Sequence, residues 1–230
     1  MVQLSERGYK VTDYTALWLD TFNTLRASQI EAQGFTEADV RAGGRATKEY
    51  PNKEDATWWL RNGVPMVQQW VQWRDNSGWG IADMGDGKPG IEVGMEIYLG
   101  GIKVQMYVDR VMFKPNPTGT LTREDFIVLD LKTGKYQPKS EMQLALYATG
   151  IEMVYGFRPK WGVYWMAREG QPSPLIDLDN YSREMFEGIF EQFKKARENG
   201  VFLPNFSHCS MCSVIDYCKF KQPRLWEIQK

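Results

Sequence analysis

Histidine and cysteine are both scarce in this chain. Its 230 residues include one histidine, His208, and three cysteines. A single histidine excludes a histidine-rich metal site and restricts any Ser-His-Asp triad to the surroundings of His208. The cysteines, Cys209, Cys212 and Cys218, lie close together near the C-terminus and do not form a disulfide framework. Their grouping is typical of metal or cluster chemistry in a reducing compartment.

An excess of charge and long apolar runs are also missing. Lys and Arg number 28 against 29 Asp and Glu, so the net charge is -1 at pH 7. This balance excludes a generally basic nucleic-acid coat but allows a local basic groove. No segment reaches the roughly 18 apolar residues of a membrane span, and the polar N-terminus lacks a signal-peptide pattern. We therefore expect a cytoplasmic protein without membrane association.

The order of the predicted elements favours an α/β fold with a mixed sheet. Residues 12–30 and 52–74 are predicted as helices, the second one broken or kinked at Gly63 and Pro65. Strands are then predicted at 79–84, 91–99, 102–113, 126–132 and 160–167, and further helices at 140–155 and 181–199. Gly100 and Gly101 predict a tight hairpin turn between two of these strands.

Acidic side chains stand near the ends of two neighbouring predicted strands. Asp109 lies late in strand 102–113, while Asp130 and Lys132 share one face of strand 126–132. If these strands pair, the two carboxylates converge, and they then need a cation to stay ionised. Oxygen ligands select Mg²⁺ or Mn²⁺. A lysine beside such a pair can hold an attacking water or stabilise the charge that develops on a phosphate.

Gln143 and Tyr147 complete an ordered set of polar residues. They are four positions apart on the next predicted helix and therefore share a face. The set Asp109, Asp130-x-Lys132, Gln143-x-x-x-Tyr147 resembles the PD-(D/E)XK nucleases of the RecB-like branch. In that branch a hydrophobic-Asp strand, a D-x-K strand and a Q-x-x-x-Y helix follow in this order.

The cysteines strengthen this resemblance. Cys209-x-x-Cys212 and Cys218 resemble the iron–sulfur appendage of the CRISPR-adaptation exonucleases and the AddB-type helicase-nucleases, and small phage exonucleases share the layout. The similarity extends from residue 91 to residue 220. It implies a restriction-endonuclease-like core, with a mixed central sheet flanked by helices, and a small C-terminal cysteine lobe. The cell would be a bacterium or a phage-infected host.

The implied organisation is a nuclease domain at residues 1–205 and a cysteine lobe at 206–230. Within the nuclease domain, residues 1–75 form a helical part and residues 79–167 the catalytic core. The implied reaction is metal-assisted hydrolysis of phosphodiester bonds. An exonuclease acting on single-stranded DNA ends in recombination or repair is the favoured form, with a helicase or recombination protein as its partner.

The resemblance also assigns roles to single residues. It implies that Asp109, Asp130 and the Leu131 carbonyl bind Mg²⁺ or Mn²⁺, and that Lys132 positions or activates the attacking water. It also implies that Gln143 and Tyr147 orient the site and contact the nucleic-acid backbone. The locally basic stretch 103–139 adds Arg110 and Lys135 as predicted nucleic-acid contacts.

One departure from the family pattern concerns the metal ligands. The family supplies a histidine from an early helix, whereas the one histidine here is His208. We predict Glu92, on the strand before Asp109, as the substitute ligand, with Glu96 as second choice.

A second departure concerns the cysteines. Cluster-bearing relatives use an additional cysteine near the N-terminus, and this chain has none before Cys209. Three alternatives stay open for the trio: a 4Fe–4S cluster with a non-Cys fourth ligand, a Zn²⁺ site completed by His208, or no metal.

Three other functions compete with the exonuclease. The first is a structure-specific endonuclease. The second is a catalytically silent DNA-binding or assembly subunit that keeps the nuclease fold, and the missing early histidine favours it. The third is a zinc-stabilised protein-interaction module centred on the cysteines.

Overall fold

The computed structural model describes residues 13–34, 36, 54, 56–85, 87–201, 204–206, 209, 212, 215–218 and 220–221. Its helices are α1 (Tyr14–Gln33), α2 (Ala56–Ser77), α3 (Met142–Tyr155) and α4 (Arg183–Glu198). Its strands are β1 (Gly80–Ile81), β2 (Ile91–Leu99), β3 (Ile102–Phe113), β4 (Phe126–Lys132), β5 (Trp161–Met166), β6 (Gln171–Pro172) and β7 (Ile176–Asp177). In this part of the chain, no helix is both long and apolar enough to cross a membrane.

The strands form one mixed sheet, as the sequence predicts. β3 pairs antiparallel with β2 on one side and with β4 on the other, and β4 runs parallel to β5. β1 extends the β2 side of β3, while β6 and β7 pair with the far edge of β5. The crossover from β4 to β5 passes through α3, which is the usual way to join parallel neighbours. The predicted bounds of β2, β3 and β4 agree with the structure residue for residue.

The hairpin between β2 and β3 turns at Gly100 and Gly101, as predicted. Both residues have positive φ, 54° and 76°, which glycine adopts without steric cost. A Cβ on Gly100 would also lie 2.4 Å from the backbone nitrogen of Glu191 in α4. The turn therefore requires glycine for its conformation and for the close approach of α4.

Helices cover both faces of the sheet. α3 and α4 pack on one face, where the core includes Val108, Val128 and Leu144. On the other face, α2 inserts Trp70 against the aliphatic side chains of β4 and against Trp165. Four indole rings meet there with centroids 4.8–5.3 Å apart: Trp70, Trp73, Trp79 and Trp165.

Of the predicted break or kink in the second helix, the break does not occur. α2 continues through Gly63 and Pro65 to Ser77. Gly63 is buried because the Trp18 ring of α1 packs directly against it. A Cβ at this position would lie 2.0 Å from an atom of that ring. Tertiary packing against α1 and the sheet therefore overrides the local helix-breaking tendency of these two residues.

The alternation of side chains along β3 shifts by one position near Asp109. Val108 and Val111 both belong to the core under α3, although strict alternation would place residues three apart on opposite faces. The neighbouring strand is irregular at the same level. Glu92 lies opposite Asp109 in the β2–β3 register and has a φ of 50°. Holding a non-glycine residue there costs about 1–3 kcal/mol.

Candidate active site

The side chain of Asp109 links β3 to β4 just beyond the last backbone pair of the two strands. The backbone pairing of the two strands ends at Arg110 and Leu129. One step further, Asp109 Oδ2 accepts the Leu131 backbone N–H at 2.7 Å. Burial raises the pKa of Asp109, the Leu131 N–H opposes this rise, and the charge of Asp130 raises it further. The structure therefore brings Asp109 and Asp130 close enough to repel each other.

Asp130, Lys132 and Gln143 form a closed triangle of contacts. Asp130 Oδ1 accepts from Gln143 Nε2 at 2.9 Å, and Lys132 Nζ lies 2.6 Å from Asp130 Oδ2. Lys132 Nζ also donates to Gln143 Oε1 at 3.0 Å. Asp130 is 3% exposed. The end of β4 and the first turn of α3 thus meet at the D-x-K motif.

The second oxygen of Asp130 lies beside the Lys132 ammonium. Oδ2 is buried, and its closest charged neighbour among the described residues is Lys132 Nζ at 2.6 Å. Burial raises the pKa of Asp130, and Lys132 opposes that rise. Buried carboxylate oxygens are normally hydrogen-bonded or bound to metal, so this oxygen is suited to a cation.

Tyr147 lies one helical turn beyond Gln143 and faces the same carboxylates. Its hydroxyl accepts from Gln143 Nε2 at 2.9 Å. Burial raises the pKa of Tyr147, and the negative charges of Asp130, Asp109 and Glu92 raise it further. The hydroxyl therefore stays protonated at neutral pH and can donate to an anionic substrate.

The donors at this site fit Mg²⁺ or Mn²⁺. In the described stretches, no three His, Cys, Asp or Glu side chains are grouped to hold a metal by themselves. Asp109 and Asp130 offer two carboxylates, and Leu131, the residue after Asp130, has the backbone carbonyl that the sequence predicts as a further ligand. Mg²⁺ is commonly bound through one or two carboxylates, with water and substrate phosphate filling the remaining positions. The donor set is therefore compatible with this class of ion.

Arg110 is part of the scaffold of the site. Its side chain is 1% exposed and donates to the Asp109 carbonyl at 2.5 Å. Its guanidinium lies 5.9 Å from the Trp70 ring centre and 3.6 Å from Glu92 Oε1. This burial does not support the predicted contact of Arg110 with nucleic acid. The guanidinium instead fixes the backbone of Asp109.

Glu92 is one of the residues that line a surface cleft next to β2. The cleft has a volume of about 710 Å³ and is lined by residues that include Lys88, Glu92, Gly94 and Tyr155. In this structure the Glu92 carboxylate is turned towards Arg110. The other predicted substitute, Glu96, pairs with Lys103 at 2.7 Å further along the hairpin.

Lys135 is exposed in the connection from β4 to α3, with its ammonium 5.8 Å from the Tyr136 ring centre. Sequence reasoning did not single out Tyr136, which lies in this connection, or Arg168, which contacts it. Arg168 Nε donates to the Thr133 carbonyl at 2.6 Å. Residues 133–140 lie directly between the D-x-K and Q-x-x-x-Y motifs, and this position in the sequence could have identified them as candidates for a role at the site.

The three cysteines are free thiols. Cys212 N–H donates to the Cys209 carbonyl at 3.3 Å, and Cys218 N–H donates to the Ile215 carbonyl at 3.1 Å. His208 lies outside the described residues. The iron–sulfur and zinc alternatives gain no support from this arrangement.

Comparison with known proteins gives two kinds of match. A sequence profile of the PD-(D/E)XK nuclease superfamily matches residues 29–219. The Gene 69 protein of Mycobacterium phage D29 is 30% identical over 197 residues, which cover 76% of this chain and 69% of the relative. The Gene 69 protein of Mycobacterium phage L5 is 26% identical over 234 residues, which cover 84% of this chain and 75% of the relative.

Proposed function

The chain belongs to the PD-(D/E)XK nuclease superfamily, and from this premise we propose that it is a metal-dependent deoxyribonuclease acting as an exonuclease on single-stranded DNA ends. The observation that carries the proposal is the contact network of Asp130, Lys132, Gln143 and Tyr147 beside Asp109. These residues come from three separate motifs of the sequence, and their convergence supports a common task.

The proposed metal ligands are Asp109, Asp130 and the Leu131 carbonyl, with Glu92 as an additional ligand. Support comes from the buried Asp130 Oδ2 and from the β2–β3 register, in which the neighbours of Glu92 pair with the neighbours of Asp109. A bound Mg²⁺ or Mn²⁺ would supply Lewis-acid stabilisation of negative charge on the phosphate.

The side chains around the carboxylates have separate proposed tasks. Lys132 carries a positive charge between Asp130 and Gln143, where it can hold an attacking water and stabilise charge that develops on the phosphate. Gln143 fixes the distance between Asp130 and Lys132. Tyr147, whose raised pKa keeps its hydroxyl protonated, can donate to a phosphate oxygen. Lys135 contacts the phosphate backbone of the DNA strand.

A helicase or recombination protein is the proposed partner, because an exonuclease of this kind needs exposed single strands.

The test compares linear and circular DNA. End-labelled linear single strands and closed circles are incubated with Mn²⁺ and wild type, Asp130→Ala or Lys132→Ala. We expect wild type to degrade the linear strand and spare the circle, and each variant to be slower by about 10²–10⁴-fold, because metal binding or the acid–base partner is lost. Lys194→Ala, which removes an exposed lysine of α4, is the matched control and should retain full activity.

Other outcomes identify the competing functions. Cleavage of the circle by wild type indicates a structure-specific endonuclease. DNA binding without metal-dependent cleavage indicates a silent binding subunit. Equal degradation by wild type and both variants rejects the assignment of Asp130 and Lys132. Metal analysis and a visible absorption spectrum of anaerobically purified protein distinguish iron, zinc and no metal at the cysteines.

A further inference from the structure

Residues 133–140 connect β4 to α3 and lie directly between Lys132 and the helix that carries Gln143. We propose that this loop binds a single-stranded DNA end, with the Tyr136 ring stacked on a base and with Lys135 and Lys139 beside the phosphates. The inference rests on the proposed function and adds to it the residues that select an unpaired strand.

The first end of the loop is fixed by Arg168. Its Nε donates to the Thr133 carbonyl at 2.6 Å. The guanidinium is itself held by both carboxylate oxygens of Glu54, and it stacks on Trp58 with 4.5 Å between the guanidinium carbon and the ring centre. A planar cation held by a two-pronged carboxylate contact and an aromatic face has little freedom. The start of the loop is therefore tied to the segment before α2.

The second end is fixed by the sheet. The Ser140 carbonyl accepts the Tyr164 hydroxyl at 2.9 Å, and Tyr164 is fully buried in β5. Because both ends are held, the residues between them are confined to the short span between Lys132 and Gln143. Side chains positioned in advance lose less conformational freedom when a ligand binds.

The middle of the loop presents an aromatic ring and positive charge to solvent. Tyr136 is 79% exposed, and Lys135 Nζ lies 5.8 Å from its ring centre. Lys139, which follows Tyr136 in the chain, is also exposed, and residues 133–140 contain no acidic residue. A single exposed aromatic is ordinary on a protein surface. The position between two lysines, beside the D-x-K motif, is what favours a nucleic-acid ligand here.

The chemistry of this loop favours an unpaired strand over a duplex. Stacking on a protein ring requires a base whose face is free, and bases inside a duplex already stack on each other. Every base has such a face, so the contact is tolerant of sequence. The two ammonium groups add a salt-dependent attraction for phosphates. The loop would therefore hold the strand next to the carboxylates without reading its sequence.

The experiment measures binding separately from cleavage. Asp130→Asn is used as the cleavage-deficient background in EDTA, and fluorescence anisotropy follows a fluorescein-labelled oligothymidine strand and a blunt hairpin duplex of equal length. We expect Tyr136→Ala to raise the Kd for the strand roughly 5- to 100-fold and to change that for the duplex by less than about 2-fold. Tyr136→Phe keeps the ring and should stay within about 2-fold of the background. Tyr217→Ala removes another tyrosine that is 83% exposed and should leave strand binding unchanged.

Each remaining outcome has a definite meaning. Unchanged strand affinity in Tyr136→Ala overturns the inference, and so does an equal loss in Tyr136→Phe, because the hydroxyl rather than the ring would then make the contact. If the protein with Asp130 intact cleaves DNA but strand binding is independent of Tyr136, the nuclease stands and the loop inference fails. If binding depends on Tyr136 but no DNA is cleaved with Mn²⁺, the loop inference stands and the nuclease fails.

Discussion

Gln143 donates its side-chain amide to Asp130 Oδ1 at 2.9 Å, and this contact ties the first turn of α3 to the end of β4. The oxygen of the same amide accepts from Lys132 at 3.0 Å. One side chain of the helix therefore sets the positions of both the carboxylate and the ammonium on the strand.

Replacing Gln143 tests this positioning role. In Gln143→Ala, Asp130 and Lys132 lose their common partner, and we expect cleavage to slow by roughly 10- to 100-fold, since small displacements at a reaction centre have effects of this size. Initial rates on end-labelled single strands with Mn²⁺ give the comparison. Gln192→Ala, on the exposed surface of α4, is the control. A wild-type rate in Gln143→Ala would contradict the role.

Replacing Arg110 tests whether this residue stabilises the fold or contacts nucleic acid. Arg110→Ala leaves the buried Asp109 carbonyl without its donor, and we expect the free energy of unfolding to fall by about 2–4 kcal/mol. Urea unfolding measures this. Arg183→Ala breaks an exposed ion pair with Glu187 and should cost less than about 1 kcal/mol. Unchanged stability combined with weaker DNA binding would support the sequence-based prediction that Arg110 contacts nucleic acid.

Two glycine-to-alanine changes in helices should have opposite signs. At Gly63 the added Cβ meets the Trp18 ring, so we expect a loss of about 1–3 kcal/mol despite the better helix propensity of alanine. At Gly188, in α4, nothing lies within 4 Å of the added Cβ, and we expect a gain of about 0.5–1 kcal/mol. Thermal unfolding of both variants gives the comparison. Equal effects at the two positions would show that α1 does not pack on α2 as described.

Asp125 gives a prediction for acid stability. The backbone N–H of Thr122 lowers the pKa of Asp125, and the hydroxyl of Thr122 and the amide of Asn116 lower it further. A carboxyl with a depressed folded-state pKa stabilises the fold above its unfolded pKa, about 3.9, and this contribution is lost as the pH falls through the folded-state pKa. We expect Asp125→Asn to melt below wild type at pH 6, and the difference to shrink below about pH 4. A difference independent of pH would contradict this assignment.

Much of the core near the site could be predicted from the sequence. Period-two alternation and the Gly100–Gly101 turn define β2 and β3, and the apolar run before Asp130 defines β4. Once those strands pair in order, Asp109 and Asp130 must converge, and the helical spacing of Gln143 and Tyr147 places both side chains together. Local patterns were sufficient here because neighbouring elements in the chain are also neighbours in the sheet.

Features that depend on distant contacts could not be predicted. Trp18 makes Gly63 a packing position, and no local rule reveals this. Arg110 follows the shift of alternation in β3 and is buried under Trp70, although a charged residue beside a predicted metal site suggests a surface contact. Arg168 contacts the Thr133 carbonyl and is held in place by Glu54, which is far away in sequence. Each of these depends on tertiary geometry that a single strand or helix does not encode.

Glu92 has a positive φ, a backbone conformation that suits glycine. At the other end of β2, the same conformation is occupied by glycine, at Gly100 and Gly101. Selection for stability alone would favour glycine at this position. A carboxylate held there opposite Asp109 marks a point where stability and the proposed chemistry are in conflict. A more heat-resistant form of this protein obtained by replacing Glu92 with glycine would therefore lack one of its proposed metal ligands.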